Sequence, residues 1–412
     1  VITLSIKKAN GLIWSSCTIL LIISISLMSF CSKKKKSQTL LITKTKVFDK
    51  LKIKKIFESG FSGRICLPCS SGIICDELMN RTGSELMLKL FDYSGKMIKE
   101  KRIKSGDGPD EIRILGFDTT WVSASGKIYC IDNDYLKSID INGFKIETLF
   151  KFSNMIDGYG TKYLFSFYGG SSLEEKDDQI VTSFESTGFY ENLNYYIVLF
   201  NGLFKNLKII SASRKPRPPS WIEREKQQTT TGQRVDFMDI YEQLRLKRML
   251  SVDWKRNMIY FIVDIEKPEI ESIDFQGNRK SKYSIPMDTS TFNLDRKEID
   301  EWVNYLQGET EEYLRRINRP VYYVPSHSPA IMGIKVIKDW LLIISGKRDW
   351  EKQQNEVLVF NLPTLSYDGS FYIPFPNLLA TKWVGDYYVT KKLVENNGEY
   401  SFSHEVYSII EK

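Results

Sequence analysis

Histidine is scarce in this chain of 412 residues and occurs only as His327 and His404. A Ser-His-Asp triad would have to use one of these two. His327 sits in the run Ser326-His327-Ser328-Pro329 and His404 among polar residues near the end, and neither accompanies a nucleophile elbow. Cysteine is sparse too, at six. Cys66-x-x-Cys69 has no second pair and no histidine at ligand spacing, which argues against a zinc site. The run Gly106-Asp107-Gly108-Pro109 lacks the Lys and Ser/Thr of a Walker loop and the third glycine of a dinucleotide fingerprint. Gly106, Gly108 and Pro109 read instead as a structural turn, glycine supplying positive φ and proline stiffness.

Clustered charge of one sign is also missing over most of the chain. The formal charge is +7, but residues 1–36 hold six lysines and no acid, which leaves 52 basic against 51 acidic residues. A nucleic-acid surface needs a local excess of Lys and Arg to displace counterions. Only Ser211 to Lys226 is locally dense, and that run already includes two glutamates. No nucleic-acid partner is expected.

The N-terminus is different. Basic residues precede an apolar stretch from Leu12 to Phe30, and Cys31 follows, ahead of Lys33 to Lys36. This reads as an export signal over 1–30. Met28-Ser29-Phe30-Cys31 resembles the lipobox of bacterial lipoproteins, which implies cleavage before Cys31 and lipid attachment to it. An acylated Cys31 with a basic linker over 31–39 would hold the protein on a membrane of the bacterial cell envelope. The alternative is an uncleaved helix, since 19 residues can just span a bilayer.

Aromatic residues are plentiful, with 22 Tyr and 23 Phe, and they fall in alternating runs suited to half-buried strands. One pattern returns six times, an alternating strand followed by an Asn, Gly or Pro turn: residues 90–98, 138–146, 198–210, 272–285, 359–373 and 406–410. An earlier hairpin stands upstream of each, least clearly in the third. Four strands repeated around an axis make a propeller blade. The expected fold is an all-β, six-bladed β-propeller over 40–412, with helical loop insertions at about 220–248 and 294–317. The last unit lacks a fourth strand, and Thr39 to Phe57 is expected to supply it and close the ring.

Ser105 to Ile112, SGDGPDEI, resembles the G-x-G-P-x-E-F segment of bacterial six-bladed β-propeller lipoproteins related to the NHL-repeat group. Gly106, Gly108, Pro109 and Glu111 match, and Ile112 replaces Phe. Some six-bladed propellers hold a divalent cation on the axis with carboxylates from strand ends. Asp132, Asp134 and Asp264 follow second strands here, so they are the candidate ligands for calcium, which prefers hard oxygen donors; no other cofactor is expected. The alternative is that these acids merely end strands. Trp121, Trp254, Trp340 and Trp383 recur near first hairpins, either as a stacking ring at a channel mouth or as packing between blades. Trp350, on a polar turn, is a candidate ligand contact. A two-residue turn at Ser70-Ser71 would set Cys66 opposite Cys75, as a disulfide or as two small core residues.

These observations point to a monomeric, lipid-anchored envelope propeller that binds a protein, peptide or glycan without catalysis. A metal-dependent lactonase or esterase and a structural scaffold are the alternatives.

Overall fold

Strand order follows from a gradient of side-chain character within each repeat. Ile331–Ile337 and most of Trp340–Asp349, a first and a second strand, are apolar on both faces and buried along their length. Met97–Lys104, a fourth strand, carries charge and faces outward, with only Ile103 buried. A four-stranded antiparallel sheet that is buried at one edge and wet at the other fits radially around an axis.

The computed structural model shows six such sheets. It describes residues 38–40, 42, 47–59, 65–78, 85–106, 108, 110–112, 115, 120–123, 126–132, 135–151, 173–187, 192–201, 206–216, 226, 237–239, 249–278, 280–287, 321–323, 329–349, 351–375, 380–396 and 399–411. Blade 1 comprises Cys66–Cys69, Gly72–Leu78, Glu85–Phe91 and Met97–Lys104. Blade 2 comprises Thr120–Val122, Lys127–Asp132, Tyr135–Asp140 and Lys145–Lys151. Blade 3 comprises Leu173–Lys176, Gln179–Thr187, Asn192–Asn201 and Asn206–Pro216. The core of blade 4 is Leu250–Asp253, Met258–Ile262, Glu269–Asp274 and Ser281–Ser284. Blade 5 comprises Ile331–Ile337, Trp340–Asp349, Gln354–Asn361 and Tyr367–Pro374. Blade 6 takes Ala380–Val384, Tyr387–Asn396 and Glu399–Glu411 from the end of the chain. Its fourth strand is Leu51–Glu58, paired antiparallel with Glu399–Glu411 from Leu51↔Glu411 to Glu58↔Glu405. The fold is thus the six-bladed β-propeller that the repeat predicts, closed by the early strand that was expected to complete it.

The approach to that closing strand runs along the rim. Leu40 N–H donates to the Ser284 carbonyl at the edge of blade 4 (2.8 Å), and Phe48 N–H to Ser370 in the outer strand of blade 5 (2.8 Å). Phe48 then packs edge-on against Trp340, with ring centroids 5.5 Å apart. Leu40, Phe48 and Leu51 are all buried.

Cores lie between blades and follow one another around the ring. One joins blades 4, 5 and 6, another blades 6, 1 and 2, a third blades 2 and 3, and a fourth blades 3 and 4. Thr39 to Lys412 form one compact unit. No complete helix stands among the described residues, where Lys226 is the one α-helical position. The insertion expected at 294–317 lies outside them, as does most of that at 220–248, within which Phe237–Asp239 pairs parallel with Val321–Tyr323.

Candidate functional site

Six tight turns, each joining the first and second strands of a blade, surround one end of the central channel. Ser70, Ser123, Glu175, Trp254, Lys338 and Tyr387, one from each blade in order, line a mouth of about 1010 Å³. The chain folds sharply here for local reasons. Asp177 and Asp178 both take positive φ (48° and 62°), the left-handed pair that a two-residue hairpin requires and that Asp tolerates.

Polar ties bind neighbouring blades around this mouth. Glu174, on the first strand of blade 3, accepts hydrogen bonds from Ser251 Oγ in blade 4 (2.6 Å) and Lys335 Nζ in blade 5 (3.0 Å) through Oε1. Its Oε2 accepts the Val252 N–H at 3.2 Å. Ser251 is fully buried, and its oxygen also accepts the Val336 N–H at 2.9 Å. Serine, lysine and glutamate side by side invite a hydrolytic reading, but this hydroxyl is committed on both sides and shielded. The cluster braces three blades.

Further ties continue the ring. Arg256 of blade 4 spans Asp253 (2.8 Å) and Asp339 of blade 5 (2.7 Å). Hydrogen bonds from Arg256 and then Lys255 hold the Asp339 carboxyl below its ordinary range. Lys338 pairs with Glu411 of blade 6, and Tyr387 of blade 6 stacks on Tyr93 of blade 1 at 6.1 Å. Tyr129 of blade 2 donates to Glu175 of blade 3 at 3.1 Å. Within the ring, Lys382 of blade 6 reaches past blade 1 to donate to the Thr120 carbonyl, with its ammonium 4.5 Å from the centre of the Trp121 ring. Its contact with the indole face is a cation–π interaction.

The carboxylates singled out by sequence lie elsewhere. Asp132 ends a second strand, as expected, so it stands at the end of the ring away from the mouth. Its carboxylate is buried against Lys137 Nζ at 2.8 Å. Lys137, itself almost fully buried, also donates to the Glu111 carbonyl (2.6 Å). A cation at Asp132 would have to displace that ammonium. Asp264 accepts the Glu266 N–H and pairs with Lys267 on an exposed turn. Asp134 is outside the described residues, and among those described no group of three or more Asp, Glu, His or Cys is placed to hold a metal.

The glycine-rich turn supports Lys137 from the other side. Glu111 folds back so that its carboxylate accepts the Gly108 N–H at 2.9 Å. A Cβ at Gly106 would come within 2.1 Å of Glu111 Oε2, and one at Gly108 within 2.9 Å. Neither glycine has the positive φ that the sequence led us to expect. They make room for Glu111 instead. Pro109, like Trp350 and Cys31, lies outside the described residues.

Of the four recurrent tryptophans, Trp121 is buried in the core between blades 2 and 3, and Trp254 packs edge-on against Phe275 at 5.5 Å. Trp340 meets Phe48, and Trp383 meets Tyr388 at 4.9 Å. Packing describes them better than a stacking ring, although Trp254 also lines the mouth. Cys66 stands opposite Cys75 as the Ser70-Ser71 turn requires. Both thiols are free and fully buried here.

No protein-family model matches the sequence, and neither does any curated protein. Solved structures provide likenesses in shape. A member of the DUF4221 family from Bacteroides vulgatus is 11% identical with a TM-score of 0.46, over 88% of this chain and 99% of that one. The WD40 domain of SCAP from fission yeast is 10% identical with a TM-score of 0.33, over 89% of this chain and 64% of that one. Porphyromonas gingivalis dipeptidyl peptidase 4 is 10% identical with a TM-score of 0.37, over 80% of this chain and 44% of that one. The blade count rests on the strand pairing itself.

Proposed function

We propose that this propeller is a non-catalytic binding module of the bacterial envelope, anchored through Cys31, which receives a peptide, protein segment or glycan at its channel mouth. The observation that carries the reading is the mouth, to which every blade contributes. At about 1010 Å³ it lies at the upper limit of small-molecule pockets, which run to about 1,000 Å³, and suits part of a longer chain. Its rim mixes Glu175, Asp253 and Asp386 with Lys176, Lys255 and Lys338 around Trp254 and Tyr387. Such a rim offers donors, acceptors and flat apolar faces to a polar polymer. The resemblance of SGDGPDEI to NHL-like envelope lipoproteins supports the same location.

Peptide and glycan libraries presented to the purified protein test the first part. Trp254→Ala and Tyr387→Ala are expected to weaken a captured ligand by roughly ten-fold or more, as aromatic anchors do. Undiminished binding by both variants would move the site away from the mouth. For the anchor, Cys31→Ser is expected to shift the full chain from the membrane fraction to the soluble one, and an unchanged distribution would refute lipidation.

A further inference from the structure

The outer strands of blades 6 and 1 concentrate positive charge on one wall of the ring. Leu51–Glu58 carries Lys52, Lys54 and Lys55 against Glu58, and Met97–Lys104 carries Lys99, Lys101, Arg102 and Lys104 against Glu100. Seven cations against two acids stand out in a chain that is otherwise nearly balanced. The outer strands of blades 2, 4 and 5 together hold Lys145, Lys151 and Lys282 against Glu147 and Asp368. Blade 3, on the far side of the ring, has Lys208, Arg214 and Lys215, and Lys208 donates to the Phe275 carbonyl. Blades 6 and 1 are neighbours whose outer strands share a core, through Phe57 and Ile103.

Several of these charges are used within the fold. Lys55 pairs with Glu58 and Glu405, Lys99 and Lys101 donate to carbonyls of the Asn142 to Phe144 turn, and Arg102 stands 3.8 Å from Glu85. Lys52, Lys54 and Lys104 are exposed and show no ion pair among the described residues. Lysines on edge strands deter sheet-to-sheet pairing, but that need applies equally to blades 2 and 5, which lack the excess. The same wall also bears exposed apolar side chains. Met97 (47% exposed) and Ile98 (55%) open the blade 1 strand, and Ile410 (41%) is the register partner of Lys52. They are three of the five large hydrophobics exposed among the described residues; Val47 and Tyr372 lie at blade 5.

We infer that this wall is a docking surface for a bilayer rich in anionic phospholipid. Lysines facing outward among exposed aliphatic side chains match the boundary between charged headgroups and acyl chains. The inference rests on the envelope reading and adds an orientation to it: the ring lies with blades 6 and 1 against the membrane and the mouth opening along it.

The test is co-sedimentation of the unit Thr39–Lys412, which contains all six blades, the closing strand and every core, with vesicles of phosphatidylcholine alone or with about 30% phosphatidylglycerol. Binding is expected only to the anionic vesicles and is expected to fall at 1 M salt, where the Debye length shrinks to about 3 Å. Each lysine near such a surface contributes about five-fold, so joint Lys52→Gln, Lys54→Gln and Lys104→Gln should weaken binding on the order of a hundred-fold. Replacing Lys267, Lys282 and Lys352 by glutamine on blades 4 and 5 should leave it unchanged. Equal binding to neutral vesicles, equal loss from the two triple variants, or tighter binding to a DNA duplex than to anionic vesicles would overturn the inference. Fractionation of the full chain separates the two ideas: if it is membrane-bound while Thr39–Lys412 ignores vesicles, the anchor stands and the docking wall falls.

Discussion

Lys137 shows how much of a site can depend on a residue that no motif marks. Its ammonium neutralises Asp132 inside the protein, so Lys137→Met would strand a buried carboxylate and is expected to cost about 3–5 kcal/mol in urea unfolding. The joint change with Asp132→Asn should recover most of that loss, and a single variant as stable as wild type would mean that the pair contributes nothing. The sequence showed Asp132 as a strand-end acid but not its counterion. Lys137 comes five residues later, beyond a hairpin, and an alternating strand does not disclose which polar residue turns inward. Cys66 and Cys75 were more legible, because a two-residue turn fixes register. Their neighbours Ile65 and Asp76 are hydrogen-bonded through Asp76 N–H and the Ile65 carbonyl, which makes the cysteines a non-hydrogen-bonded pair with Cα atoms about 4.5 Å apart. That lies within disulfide reach. Treating Thr39–Lys412 with oxidised glutathione during refolding is expected to reduce its titratable thiols from four to two, leaving Cys69 and Cys130; four remaining would refute the pairing. Burial pushes the Cys130 thiol up to about 12, so it should stay unreactive until the protein unfolds.

At the scale of elements, strand Leu51–Glu58 has the most to explain. Phe57 enters the core shared by blades 6, 1 and 2, and a bulge between Lys55 and Phe57 adjusts the register. Phe57→Ala is expected to cost about 3–5 kcal/mol. Removing residues 39–58 altogether should leave Glu399–Glu411 as an open edge and produce oligomers on size-exclusion chromatography; a monomeric, cooperatively folded product would show that the strand is dispensable. This element was readable in advance, since a final unit one strand short and an unassigned early strand imply each other. The Glu174, Ser251 and Lys335 cluster was not readable. Its members sit on first strands of three blades, 77 and 161 residues apart for the two contacts of Glu174, and within any one blade each resembles an ordinary strand residue. Repeats reveal what recurs, whereas a brace between blades uses a different residue in each.

For the whole molecule, cores that lie between blades make each blade depend on its neighbours. Leu88→Ala in blade 1 and Ile259→Ala in blade 4, both fully buried, are each expected to cost about 2–5 kcal/mol and to shift one common melting transition by roughly 1–2 °C per kcal/mol. Tryptophan fluorescence and far-ultraviolet circular dichroism should report the same midpoint; separate midpoints would mean that blades melt independently. The strap along the rim has a consequence for how the ring is made. Lys55 and Glu405 meet although 350 residues separate them, so the strand synthesised early must wait, with its edge unpaired, for nearly the whole chain to appear. Contacts of such long range are slow to form. Completion of the ring therefore reports that the chain has reached Glu399–Glu411: a chain cut short of that strand has nothing to receive Leu51–Glu58, and it would expose that edge to proteases and chaperones.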